Sequence, residues 1–466
     1  MGRRVALLAA AVGALVVTPP AGAATQELTL TASDGTPLAC ALVEPDGTAP
    51  ATGWPGVMLF HGLGGGHQDL EPLATQLLAP AGYASLACDA RGQGASGGLF
   101  GLAGPRDKQD TKELFSWFAA RPEISDSQIG ALGVSLGGGA VWNATVAGVP
   151  FKAIVPMITW TNLAAALAPQ GLARSGLVQY LAQLVPESRW DPELLAATTS
   201  LLASSNSTQV NALAAARSAG PQLGSISTPT LLIQGRRDFL FDADQALAAY
   251  RALTGPKRLY LGDLGHPPGA SPVSAPDLSI YVTEALKWFD RFLKGTANGI
   301  DKPQVELGHD PYDGKTTSYP GLPPIKTASV SLPGTATLQP GGKVVRGVRL
   351  TGGPHETFGA STVTVRYSNA KGWDRLVAVL AVAGNSTPIS VGGVRLGKPD
   401  GVATIRLPNE SVLVRAGARL VVYLGATSTV QSASDTLYVS DVPSGSSITI
   451  GRATLKLSVL KRAVSR

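Results

Sequence analysis

The sequence predicts an α/β protein in which a mostly parallel sheet, covered by helices on both faces, is followed by an all-β region. Three observations carry this. Over about the first 300 residues, short apolar runs alternate with helically spaced ones. Residues 162–225 interrupt that alternation with a long stretch free of strand patterns. Beyond residue 324, period-two segments separated by Gly, Pro and Asn replace helical patterns almost entirely.

The strand candidates are Glu27–Ala32, Leu38–Val43, Gly56–Phe60, Tyr83–Cys88, Ile129–Gly133, Ala153–Met157, Thr230–Gln234 and Lys257–Leu261. Most are unbroken apolar runs, as strands buried on both faces require. Leu70–Leu78, Lys108–Ala119, Ala140–Ala147, Ala243–Leu253 and Leu278–Leu293 carry helical spacing. Asn162–Ser225, rich in Ala and Leu, is read as a helical cap over the strand ends, because about sixty residues far exceed an ordinary connection. A pair of plain crossover helices is the alternative. Residues 24–300 thus form one domain. Residues 301–324, including the Pro- and Gly-rich Asp310–Pro324, are expected to be a linker. In residues 325–466 the segments Thr362–Tyr367, Arg375–Val382, Arg419–Leu424, Thr436–Val439 and Thr454–Val459 predict a β-sandwich domain.

A chain of 466 residues suits two or three domains, and 15% charged with 44% hydrophobic residues describes a compact globular protein. Net charge is +6, yet no Lys or Arg run is interleaved with aromatics, so nucleic acid is not an expected partner. The N-terminus has Arg3 and Arg4, an apolar stretch from Val5 to Val17 and small residues Ala21-Gly22-Ala23. This predicts a signal peptide over residues 1–23, cleaved after Ala23, and a secreted protein; twin-arginine export is a second route. The apolar stretch is too short for a transmembrane helix, so no stable membrane anchor is expected after cleavage. Export permits a disulfide between the two cysteines, Cys40 and Cys88; the alternative is two buried thiols.

Gly133-Val134-Ser135-Leu136-Gly137 follows an apolar run and opens a small-residue stretch. A G-x-S-x-G sequence between strand and helix is a nucleophile elbow, which exposes the serine hydroxyl at a helix N-terminus. An attacking serine needs a base, and histidine is the usual one. Of five histidines, His61 and His67 lie upstream in a glycine-rich loop, while His309 and His355 fall in the linker and sandwich. His266, in the Gly265-His266-Pro267-Pro268-Gly269 loop after a strand, is the candidate. A carboxylate must orient it. Asp238, beyond the end of Thr230–Gln234, is preferred; Asp242 and Asp244 precede a helical run and look like caps, and Asp263 is very close to His266 in sequence. The oxyanion needs two backbone donors. One comes from Leu136 and the other from Leu63 in His61-Gly62-Leu63-Gly64-Gly65, with Gly64 in reserve and His61 structural. The loop Asp89–Gly97 lacks a P-loop lysine and is read as a sharp turn with Asp89 and Arg91 as internal partners. No cluster has zinc-ligand or EF-hand spacing, so neither metal nor cofactor is expected.

Together these segments resemble the α/β-hydrolases over about residues 27–295, and the order nucleophile, acid, histidine is theirs. The helical insertion and the C-terminal sandwich, which the resemblance makes jelly-roll-like, narrow the likeness to the X-prolyl dipeptidyl peptidase and cocaine esterase family. Ser411–Leu420 resembles that family's R-A-G-x-R-L segment, and Asp34-Gly35-Thr36-Pro37-Leu38 its opening hairpin. The resemblance makes the Cys40 and Cys88 strands neighbours. Family members typically donate to the oxyanion from a tyrosine where this chain has His61-Gly62-Leu63, so a backbone donor is implied instead. The leading expectation is a serine hydrolase of carboxylic esters; the alternatives are an Xaa-Pro dipeptidyl peptidase and a non-catalytic surface-binding protein. Its expected partner is a small-molecule ester or a short peptide. Binding a substrate ammonium usually takes carboxylates, and the cap offers only Glu187, Asp191 and Glu193, which tilts the reading toward esters.

Overall fold

A computed structural model describes residues 23–203, 208–266 and 275–463. Residues 1–22 of the expected signal peptide, and Pro267 to Gly269 of the histidine loop, lie outside these. The central sheet contains β1 (Ala24–Thr31), β2 (Pro37–Glu44), β3 (Trp54–Phe60), β4 (Ala84–Cys88), β5 (Ile124–Val134), β6 (Ile154–Met157), β7 (Thr230–Gly235), β8 (Lys257–Gly262), β9 (Val305–Gly308) and β10 (Thr316–Tyr319). Their spatial order is β1-β2-β4-β3-β5-β6-β7-β8-β9-β10. Strands β3 to β9 run parallel, while β1, β2 and β10 join through antiparallel pairings. Every expected strand of this region forms, because side chains such as Val57, Ala131, Ile154, Leu231 and Leu259 are buried from both sides; the bounds are close except at β5, which begins five residues before the expected Ile129.

The helices are α1 (Pro105–Ala119), α2 (Leu136–Val146), α3 (Leu163–Leu167), α4 (Ser175–Ala182), α5 (Pro192–Leu202), α6 (Thr208–Ala216), α7 (Ala243–Ala252) and α8 (Ala275–Phe292). Pro105 fills the first position of α1, and Asp107 reaches back to accept the Gly104 amide at 2.8 Å. Side chains of α1, α2 and α7 pack into one core, and those of α8 with residues 67–78 into another, so the sheet is covered on both faces. Helices α3 to α6 form the insertion between β6 and β7. Asn162 caps α3 by accepting the Ala165 amide (3.0 Å), and Asp191 caps α5 by accepting that of Glu193 (2.8 Å).

Two expectations are overturned: Thr436–Val439 forms no strand, and the expected linker belongs to the sheet. Residues 301–324 are not a linker: β9 pairs parallel with β8, β10 pairs antiparallel with β9, and both extend the central sheet. Pro303, Pro311, Gly314 and Pro320 dominate the composition there, and strands of four residues are too short to show a period. The fully buried Val305 and Leu307 carry the strand signal instead. Cys40 and Cys88 face one another in the β2–β4 register and are joined as a disulfide.

The C-terminal region contains β11 (Ile325–Leu332), β12 (Ala336–Leu338), β13 (Val344–Arg349), β14 (His355–Glu356), β15 (Ser361–Lys371), β16 (Arg375–Val382), β17 (Ser390–Arg395), β18 (Gly401–Leu407), β19 (Leu413–Val414), β20 (Arg419–Gly425) and β21 (Ser447–Leu460). Two antiparallel sheets, β11-β21-β15-β18 and β13-β20-β16-β17, enclose one core that includes Val363, Ile405 and Leu455 from the first and Leu376, Leu380 and Val422 from the second. This unit braces the cap. Ser175 Oγ accepts the amides of Val439 and Ser440 (both 3.1 Å), and Arg395 donates to the Gly171 carbonyl (2.9 Å).

Candidate active site

Ser135 joins β5 to α2 with φ 57° and ψ −116°. Such backbone costs of order 1–3 kcal/mol and persists only where its surroundings hold it. Its amide donates to the Met157 carbonyl (2.9 Å), and its own carbonyl accepts from Thr159 Oγ1 (2.7 Å) and the Gly139 amide (3.1 Å). A Cβ at Gly137 would lie 2.0 Å from the Phe60 carbonyl oxygen, and one at Gly133 would lie 2.3 Å from that of Gly137. Both glycines are therefore obligatory for the close approach of α2 to the sheet.

The loops after β7 and β8 deliver the other two groups. His266 Nε2 lies 2.8 Å from Ser135 Oγ, and its Nδ1 lies 3.0 and 2.9 Å from the two carboxylate oxygens of Asp238. Asp238 is fully buried. Its Oδ1 also accepts the amides of Leu240 and Phe241 (both 3.0 Å), and its Oδ2 accepts Gln234 Nε2 (3.2 Å). These donors fix the plane of its carboxylate. Phe241 packs edge-on against the imidazole at 5.3 Å and is itself backed by Trp160 at 5.1 Å.

The remaining acids go elsewhere. Asp242 stands at the N-cap position of α7 but makes no side-chain cap; it pairs instead with buried Arg174 from the cap, 3.2 Å away. Its carboxylate satisfies that guanidinium because both are shut off from water. Asp244, the other expected cap, accepts the Asn409 amide (3.0 Å) and pairs with Arg406 (3.0 Å). Asp263 accepts the Tyr281 hydroxyl.

Leu136 opens α2, where first-turn amides have no acceptor within the helix, so its N–H is available to an anion. The reserve donor is withdrawn: the Gly64 amide donates to Gln93 Oε1 at 2.8 Å, leaving Leu63 as the candidate from that loop. His61 is structural, as expected. Its Nδ1 donates to the Gly62 carbonyl (2.7 Å), its Nε2 accepts the Ala90 amide (2.8 Å), and burial pushes its pKa down. Asp89 and Arg91 do turn inward, though not to each other. Asp89 accepts from His67 and the Ala95 amide, while Arg91 pairs with Asp110 (2.8 Å). Through Gln93 and Ala90 that loop shapes the proposed oxyanion segment.

Against Ser135 lies a cavity, open to solvent, walled by Phe100, Trp160, Trp190 and Phe241 with leucines from the cap. Among the described residues, Ser135 and Thr198 are its only hydroxyl-bearing side chains, and no charged residue lines it. The indole N–H groups are satisfied outside it, Trp160 on the Arg217 carbonyl (2.7 Å) and Trp190 on that of Val185 (3.0 Å). These wall residues were not singled out from the sequence; the Ala- and Leu-rich cap is apolar almost all round, so its pattern does not say which face meets the serine. Among the described residues, no group of three or more His, Cys, Asp or Glu could hold a metal.

A mostly parallel sheet that sets a strained serine at the end of one strand, opposite a histidine on a later strand's loop, defines an α/β-hydrolase. The family model described as X-Pro dipeptidyl-peptidase (S15 family) matches residues 34–268, just over half the chain, and the chain belongs to that family. It is accordingly a hydrolase. Among solved structures, a CocE/NonD family hydrolase from Staphylococcus aureus superposes with a TM-score of 0.72 at 14% identity, covering 94% of each chain. An aminopeptidase from a marine sediment archaeon, Thaumarchaeota archaeon, gives 0.67 at 14% identity over 96% of this chain and 98% of that one. An alpha-amino acid ester hydrolase gives 0.64 at 13% identity over 94% and 96%. At such identities the likeness speaks for the fold. An uncharacterised 31.7 kDa protein of Escherichia coli is 31% identical over 109 residues, 23% of this chain. The match spans 38% of that relative's length.

Proposed function

We propose that this protein is an exported serine hydrolase that cleaves carboxylic esters with apolar acyl groups through an acyl-enzyme on Ser135. The observation that carries the reading is an uncharged, aromatic-walled cavity against a serine hydrogen-bonded to His266. Asp238 holds the imidazole with its proton on Nδ1, so that Nε2 faces Ser135 Oγ. Attack forms the Oγ–carbonyl carbon bond while the hydroxyl proton passes to Nε2. The amides of Leu63 and Leu136 stabilise the oxyanion. Collapse breaks the bond to the leaving alcohol, which takes the proton from Nε2. Water then repeats the attack, releasing the carboxylic acid and restoring Ser135.

Family membership keeps an Xaa-Pro dipeptidyl peptidase as the second reading. A free substrate ammonium in this cavity would be desolvated without a counter-charge, which is costly. The cap acids Glu187, Asp191 and Glu193 are not among its lining residues, and Asp191 is spent on capping α5. This favours esters. A purely binding role leaves the strained Ser135 and its histidine unexplained. Export is supported by the Cys40–Cys88 disulfide, which belongs in an oxidising compartment.

The test compares purified protein and Ser135→Ala on p-nitrophenyl butanoate and on an Xaa-Pro-p-nitroanilide. Ester turnover lost by about 10³-fold or more in the variant is expected, given the collective action of such triads. Preferential anilide cleavage would transfer the assignment to the peptidase reading.

A further inference from the structure

The cavity at Ser135 has a neighbour within the cap. A second cavity, likewise open to solvent, lies among α3, α5 and α6. The two share Leu102, Leu163, Leu167, Val178, Leu194 and Thr198 as common walls. Beyond those shared residues the second cavity is lined by Ala197, Leu201, Val210, Leu213 and Ala214, and among the described residues no charged side chain lines it. Ala197, Val210, Leu213 and Ala214 belong to the same apolar cluster as Leu136, Trp160 and Phe241 beside the serine. Its amide side chains, Asn162, Gln170 and Asn211, are on exposed residues. Asn162 is engaged in capping α3, and Gln170 donates to the Thr404 carbonyl (2.8 Å) and accepts the Arg406 amide (2.6 Å).

We propose that this cap chamber receives the distal methylenes of a medium- to long-chain acyl group whose carbonyl sits at Ser135, which makes esters of fatty acids the substrate class. The inference rests on the ester-hydrolase reading above. Protein interiors are close-packed, and voids larger than a water molecule are few. An apolar chamber that shares a wall with the nucleophile's own cavity is suited to a ligand that begins at the nucleophile. The near cavity is walled by four aromatic rings and holds the start of the chain. The far one substitutes alanines for rings, at Ala197 and Ala214, and leaves room for the rest. A charged acyl substituent would meet no counter-charge among the described lining residues, whereas a hydrocarbon chain meets mostly methyl and methylene groups.

The experiment measures kcat/KM for p-nitrophenyl butanoate, octanoate and dodecanoate with the full-length protein. In the wild type kcat/KM is expected to rise by up to roughly fourfold for each methylene the chamber buries. Ala197→Phe and Ala214→Phe, each of which puts a ring into the chamber, are expected to lower the dodecanoate-to-butanoate ratio by about tenfold or more, the equivalent of some two methylenes. A readout that needs no variant is inactivation of the wild type by ethyl and dodecyl fluorophosphonates; the dodecyl probe should react faster. Butanoate turnover with no gain for longer chains, and equal inactivation by the two probes, overturns the chamber while the esterase reading stands. An unchanged ratio in both folded variants also overturns it. A wild type that neither turns over any ester nor reacts with either probe removes the underlying reading, and the chamber with it.

Discussion

Two buried carboxyl groups, Asp238 and Glu410, lie close enough to repel one another and are treated oppositely. Asp238 is ringed by four donors, whereas Glu410, only 4% exposed, has Asp242 and Asp238 as like-charged neighbours. Burial, then repulsion from those two aspartates, pushes the Glu410 carboxyl well above its usual range, against the weaker pull of Arg237 and Arg174. In its protonated form it adds no negative charge beside Asp238. The stability consequence has a definite sign. A group whose native pKa is raised binds its proton more tightly in the folded state, so its contribution is complete below the unfolded value, about 4.3 for glutamate, and is lost as pH rises through the native pKa. Wild type should therefore lose thermal stability relative to the permanently neutral Glu410→Gln as pH rises from about 4.3. Melting temperatures of both proteins across that range check this, and parallel curves would show that Glu410 titrates normally. His61 has the opposite sign: its Nε2 accepts the Ala90 amide only while neutral, and burial pushes its pKa down.

At the scale of elements, the cap and the loop carrying Asp238 are one construction. Arg174, just before α4, donates to the carbonyls of Phe239 (3.2 Å) and Leu240 (3.1 Å) and pairs with Asp242. The amides of Leu240 and Phe241 are the ones that hold Asp238. Arg174→Ala leaves Asp242 buried without its cation, so a loss of about 3–5 kcal/mol is expected, with ester kcat falling as the acid loop loosens. Urea denaturation and steady-state kinetics on the same preparation measure both. A loss below about 1 kcal/mol, the range of a surface pair, would show the contact to be incidental. This coupling was illegible in the sequence because the partners are 68 residues apart and neither belongs to a motif. Ser135, Asp238 and His266 were legible because each sits at or just beyond the end of an apolar run long enough to read as a buried strand, which fixes them at one edge of the sheet. Strands β9 and β10 were hidden for the converse reason. Four residues between prolines and glycines show no period, and only burial against β8 reveals them.

Across the whole molecule, the C-terminal unit is built into the catalytic region. Val377, Val379, Val391, Leu437 and Tyr438 share an apolar cluster with Trp160, Phe241 and the cap. Directly after β7, two residues before Asp238, Arg236 crosses between the two regions. Its guanidinium binds the Gly308 carbonyl on β9, Glu356 on β14 and Ser411 Oγ (2.9 Å), and its carbonyl accepts the Ser411 amide (2.8 Å). Arg236 and Glu356 are both fully buried. In such a site, desolvation offsets most of the attraction, so the pair contributes little against an apolar replacement but much against the loss of one partner. Arg236→Met and Glu356→Leu should each cost about 3–5 kcal/mol, since each strands a buried charge. The double variant should cost less than the sum, with a coupling of up to about 3 kcal/mol. The check is a double-mutant cycle by guanidinium denaturation, following tryptophan fluorescence and ester hydrolysis together. Strictly additive losses would mean that the two charges are compensated separately, Arg236 by carbonyls and Glu356 by other donors. A coupled cycle in which activity and fluorescence are lost in one transition would place the acid loop and the C-terminal unit in a single cooperative fold.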